Sequence, residues 1–114
     1  MNTIDSYRFG QVVVDGERYT SDVIIFPDRV RSGWFRKTGH QLHLEDIGEV
    51  IVEKPEVLVV GTGASGLMKV LPEVEKAVDT QGIELIAEST DKACHTYNQL
   101  CQSRRVVAVL HITC

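Results

Sequence analysis

The chain has 114 residues, 43% of them hydrophobic and 25% charged, and a formal net charge of −4. These values fit one globular domain spanning residues 1–114 and leave no basic stripe for a nucleic-acid backbone, so no nucleic acid partner is expected. No apolar run approaches the roughly 18 residues of a membrane span, so no membrane partner is expected either.

The first half reads as β structure. Tyr7, Phe9, Val12 and Val14 mark an apolar run that ends at Asp15-Gly16, a strong hairpin signal, with Glu17–Thr20 as the return strand. Val23–Phe26 is a short apolar run stopped by Pro27. Arg31-Ser32-Gly33 reads as a turn, followed by Trp34–Lys37 and a break at Thr38-Gly39. Leu42 and Leu44 alternate with His43 and Glu45, and Glu45-Asp46 is placed to open a short helical turn before Val50-Ile51-Val52.

The second half changes period. Val57–Val60 is a continuous apolar strand of the kind buried on both faces. Past the glycine-rich stretch Gly61–Gly66, Leu71, Val74, Ala77 and Val78 recur at helical spacing. Pro72 suits the first helical position, and Gly82 suits the left-handed residue just past the end, with Ile83 packing back. Ile83–Ala87 is a second buried strand. Ser89 or Thr90 is expected to cap a second helix whose apolar face carries Ala93, Tyr97, Leu100 and Cys101, leaving His95 exposed. Val106–Ile112 is the third strand. The order β-α-β-α-β makes the three strands parallel. The expected fold class is therefore α/β, a compact domain with a parallel core in the second half. The β-hairpins of the first half either extend its sheet or pack beside it.

Gly61, Gly63 and Gly66 match G-x-G-x-x-G, and Glu88 stands roughly where a ribose-binding acid would be. In a dinucleotide site, however, the helix begins inside the glycine motif so that its N-terminus meets the pyrophosphate. Pro72 delays the helix by five or six residues, which argues against nucleotide binding and for a structural turn. A small-anion or small-ligand pocket stays open as the alternative. It would use Gly61, Thr62, Gly63, Ser65 and Gly66, with Trp34, Arg36 and His40 close by if the first half folds over the sheet edge. Trp34 beside Arg36 is also a combination favoured at interfaces, against a plain packing role.

His40 and His43 are three apart, a poor metal pair on a strand, so no metal site is expected. The three cysteines, Cys94, Cys101 and Cys114, include no CxxC. Cys94 and Cys101 are seven apart, a rise of about 10.5 Å on a helix and too far for a disulfide. An odd cysteine count and an N-terminus without the features of a signal peptide lead to a cytoplasmic expectation. His111 reads as a packed or edge histidine. Asp46 near Arg36 or His40 reads as a polar cluster that fixes a hairpin. No complete catalytic constellation is present, and no cofactor is expected.

Several pieces, in order, carry a resemblance. They are Trp34-x-Arg36-x-x-Gly39-His40-x-Leu42 with Asp46, then Val59-Val60-Gly61-Thr62-Gly63, Pro72-Glu73-Val74, Gly82-Ile83, Ala93-Cys94-x-Thr96-Tyr97-Asn98-x-Leu100 and Arg104-Arg105-Val106. Together they resemble the domain of unknown function 498 family, most clearly from Ser32 to Leu110. The resemblance implies a three-layer α/β fold with a mixed sheet, no established enzyme activity, and a non-enzymatic role exercised through a protein partner. It leaves the oligomeric state open.

Overall fold

The computed structural model describes residues 2–114. Strands β1 (Ile4–Arg8), β2 (Gln11–Val14) and β3 (Glu17–Tyr19) form an antiparallel sheet in that order. Asp15 and Gly16 have φ of 50° and 80°, the two positive values that a tight two-residue hairpin turn needs. A second tight turn at Phe9-Gly10 splits the run expected to continue to Val14. Gly10, at φ 80°, supplies the backbone conformation that other residues avoid.

β4 (Val23–Ile25) and β5 (Val30–Ser32) pair antiparallel. The turn expected at Arg31-Ser32 is thus displaced. Pro27 breaks the strand one residue after Phe26, and Phe26 N donates to Arg29 O at 2.8 Å to close the reversal. Arg31 and Ser32 then have β4 to pair with. After β6 (Gln41–Leu42), a 3₁₀ turn (Leu44–Ile47) leads directly into α1 (Gly48–Glu53), so Val50-Ile51-Val52 is helical. Within the triplet Val50 is buried, Ile51 is half-buried and Val52 is exposed, as a helix edge dictates.

β7 (Val57–Thr62), β8 (Lys69–Val70), α2 (Pro72–Thr80), β9 (Glu84–Glu88), α3 (Thr90–Leu100) and β10 (Val106–His111) complete the chain. β10 and β9 both run parallel to β7, as the β-α-β-α-β order requires. The five-stranded central sheet has the order β5-β4-β10-β7-β9, with β4 antiparallel to β10. The first hairpin sheet packs beside it, and β4-β5 extends it. Pro72 takes the first turn of α2. Gly82 is left-handed at φ 75°, and Ile83 N reaches back to Val78 O at 2.9 Å, the helix end that the sequence calls for.

Every residue of β7 and β10 is buried. Successive side chains alternate between two cores. Val57, Val59, Ala108 and Leu110 face α3 and the β1–β3 sheet, whereas Leu58, Val60, Val107 and Val109 face α1, α2, Trp34 and Leu42. This makes three layers, and each fully buried aliphatic side chain contributes about 1.5–3 kcal/mol. The C-terminal ends of β7 and β10 lie side by side, with His111 opposite Thr62.

Candidate functional site

The glycine loop lies at that end of the sheet, and its amides turn inward. Gly63 N donates to Thr90 Oγ1 at 2.8 Å, Ala64 N to Thr113 O at 2.7 Å and Gly66 N to Gly63 O at 3.2 Å. Thr90 is fully buried, and its hydroxyl also donates to His111 O at 2.6 Å. One hydroxyl thereby ties β7, β10 and the start of α3 together. Ser89 occupies the cap position of α3 but makes no side-chain cap bond. Thr90 does not cap in its place, because its hydroxyl is already committed to the strands.

Close approach explains the glycines. A Cβ on Gly61 would lie 2.9 Å from both Leu110 Cδ2 and Thr90 Oγ1. On Gly63, at φ +105°, it would lie 2.5 Å from Cys114 O and 3.0 Å from His111 Cδ2. The Thr62 hydroxyl donates to Glu88 O at 2.9 Å, while Ser65 is exposed. The Glu88 carboxylate, at the end of β9, accepts from Thr96 Oγ1 of α3 at 2.6 Å.

Beside the loop lies a cluster that sequence spacing does not reveal. Arg36 Nη1 donates to Asp22 Oδ2 at 2.6 Å, and His111 Nδ1 lies 2.9 Å from the same oxygen. Asp22 Oδ1 accepts from Ile112 N at 2.8 Å. The side chains of Arg36, His111 and Asp22 are 5%, 7% and 14% exposed, so this is an interior ion cluster. Burial pushes the Asp22 carboxyl up, but the Ile112 amide, Arg36 and His111 outweigh it and hold Asp22 below its ordinary range. The rest of the Arg36 fork is spent on Gly39 O, from Nε at 3.0 Å and Nη2 at 2.8 Å.

His111 Nδ1 also lies 3.0 Å from Arg36 Nη2. Arg36 only donates and the Asp22 carboxylate only accepts, so Nδ1 serves one of them at a time. In either tautomer His111 Nε2 is buried without a hydrogen-bond partner among the described residues. The His40 ring meets the His111 ring edge-on, with centroids 5.9 Å apart, and His40 Nε2 lies 3.7 Å from Cys114 Sγ.

The fold therefore gathers His40, Arg36 and the glycine loop at one end of the sheet. Asp22, His111 and Cys114 join them, and only their folded positions could show it, because Asp22 and His111 are 89 residues apart in the chain. Trp34 backs onto Arg36 from the second core. It is 4% exposed within the α1/α2 core, and its Nε1 donates to Asp46 O at 3.0 Å. The Arg36 guanidinium stacks 5.0 Å from its ring centroid. Asp46 bonds backbone rather than Arg36 or His40, accepting from Lys37 N at 2.9 Å and His43 N at 2.8 Å. Among the described residues, no three ligating side chains are grouped to hold a metal ion. His40 lies in a turn, and His43 turns away toward Glu73 at 3.4 Å.

Comparison with known proteins places this fold in a family. The model of the proteins of unknown function DUF498/DUF598 matches residues 4–111. The chain is 31% identical over 105 residues to NADH dehydrogenase [ubiquinone] 1 alpha subcomplex assembly factor 3 of Bos taurus, covering 90% of this chain and 56% of that protein. The same protein of Mus musculus is 30% identical over equal shares. The chain thus spans little more than half the length of these relatives. Among solved structures, a conserved hypothetical protein of Pyrococcus horikoshii OT3 superposes with a TM-score of 0.87 at 33% identity, covering 98% of this chain and 99% of the other. A Xanthomonas campestris protein gives 0.84 at 25% identity, covering 98% and 85%. The chain belongs to the DUF498/DUF598 family of proteins of unknown function.

Proposed function

We propose that this protein is a non-enzymatic interaction factor of the assembly or regulatory kind, acting on a protein partner in the cytoplasm. The observation that carries this reading is the match of 90% of the chain to proteins named for an assembly task. The interior chemistry supports it. Asp22 and Arg36 neutralise each other with His111 Nδ1 against them, and the amides of Gly63, Ala64 and Gly66 are satisfied within the fold. Three free thiols suit a reducing compartment. Affinity capture from the native cytosol at near-native concentration should return a partner in stoichiometric amount. Recovery of the free chain alone would overturn the proposal.

A second reading, a small-ligand pocket at the same end of the sheet, is favoured by one observation, the unpartnered His111 Nε2 beside His40. The ligand would then be held by side chains, with the Gly61–Gly66 backbone as its wall. Binding to the native state alone raises its stability by mass action, about 2.7 kcal/mol at a hundredfold excess over Kd. Millimolar phosphates, carboxylates and nucleotides should leave the melting temperature unchanged if the assembly reading is right. A rise of several degrees that disappears in His111→Phe would replace that reading with this one.

A further inference from the structure

Among the described residues, the central sheet ends on one side in a strand whose outer backbone is unpaired. There β9 pairs with β7 alone, through Glu84 N to Glu56 O at 3.0 Å and the parallel ladder that follows. With a period of two, Glu84, Ile86 and Glu88 turn their backbone groups toward β7, and Leu85 and Ala87 turn theirs outward. Ala87 is exposed and Leu85 and Ile86 are half-buried, in contrast to the wholly buried β7 and β10.

The opposite edge is closed to a newcomer. β5 has three residues, and its central Arg31 is held by Glu49 of α1, with Arg29 near Glu53. β9 has five residues and a shallow cleft alongside, lined by Glu75, Val78, Asp79, Ile83, Glu84 and Leu85. Its rim is acidic. Glu75 and Asp79 are exposed on the α2 side, and Glu84 and Glu88 stand at the two ends of the strand. Lys76 and the Arg104–Glu84 pair offset part of this charge and leave the rim negative.

We propose that β9 is the docking edge for an extended segment of a partner protein, with β-branched residues at its centre and lysine or arginine on both flanks. This specifies the surface used in the interaction role proposed above and rests on that role. An added strand would take the outward groups of Leu85 and Ala87, the mode in which an extended peptide augments a sheet. Flanking cations would meet the acidic rim. A second copy of this chain is the wrong occupant, because antiparallel β9–β9 pairing sets Glu84 against Glu88 at both ends, and like charges directly opposite destabilise a sheet.

The test uses the full chain and two capped synthetic peptides of alternating valine and threonine, one flanked by lysines and one by glutamates. The lysine peptide should bind at least tenfold more tightly, and the preference should shrink as salt rises. Amide shifts and slowed exchange should centre on Leu85 and Ala87 and spare Arg31. Ala87→Pro removes an outward amide without touching the β7 ladder and should abolish binding, while Asp79→Lys, on the helix surface, should erase most of the peptide preference. Equal binding of both peptides, shifts centred elsewhere, or a concentration-dependent dimer with protected β9 amides would each overturn the proposal. If the native partner is captured equally well by the wild-type and Ala87→Pro chains, the edge assignment fails and the interaction role stands. If no partner is captured at all, the role itself fails.

Discussion

Gly63 shows most directly how one residue fixes the end of the sheet. Its φ of +105° is open to glycine, and a Cβ there would run into the backbone of Cys114. Gly63→Ala should cost on the order of 2 kcal/mol or more, read as a fall in the urea midpoint. Asp22 makes a sharper case. Its carboxyl is held below the ordinary range, so its stabilisation is complete above about pH 4 and is lost as pH falls through the native value. Asp22→Asn leaves Arg36 buried without its counter-ion and should cost about 3–5 kcal/mol at pH 7. Urea titrations at pH 7 and pH 3 should show the variant losing less stability on acidification than the parent. The cysteines should separate by exposure. Burial, with Asp91 adding to it, pushes the Cys94 thiol up to about 12, while Cys114 is half-exposed. Pulsed alkylation followed by mass spectrometry should label Cys114 before Cys94, and labelling of Cys94 at the same rate would contradict the packing of α3.

At the scale of elements, the second half is legible from the sequence because each of its signals is local. Pro72 opens α2, Gly82 and Ile83 close it, and continuous apolar runs become β7 and β10, buried on both faces. The first half is less legible. Its strands are short, and their limits are set by turns such as Phe9-Gly10 and Pro27-Asp28 that compete with hydrophobic period. The 3₁₀ turn and α1 replace an apolar triplet whose three residues fit either a strand or a helix. Docking of the first hairpin was not legible at all. It depends on Asn98, whose Oδ1 accepts from Ile4 N at 2.9 Å and whose Nδ2 donates to Ile4 O at 2.8 Å. This one side chain of α3 completes the edge of β1 as another strand would. Asn98→Ala should remove both bonds and leave two backbone groups unsatisfied, at about 1–3 kcal/mol. Hydrogen exchange should quicken in β1 and β2 and stay unchanged in β7.

For the whole molecule, the candidate site was half legible. The glycine loop, Arg36 and His40 can be nominated from local sequence, and the late helix start at Pro72 marks the loop as structural. Asp22 and His111 carry no local mark, because their meaning arises only when the second hairpin and the last strand meet. The same assembly predicts the distribution of stability. β7 and β10 are flanked on both sides, so their amides should exchange most slowly, through global unfolding, and those at the outer edge of β9 fastest. A native-state exchange series in which β9 protects as strongly as β10 would contradict this order.

β10 lies between β4 and β7, although it follows both of them in the chain. On the ribosome, β4 and β7 would therefore emerge with a gap between them that nothing yet synthesised can fill, and the Asp22–Arg36 pair would wait for His111 and the Ile112 amide. Most of the contacts are distant in sequence, which slows folding and lengthens the exposure of unpaired strands. The chain should stay chaperone-dependent until residues past Val106 have cleared the exit tunnel, and a stop codon ahead of that strand should yield a product destined for proteolysis rather than a smaller folded protein.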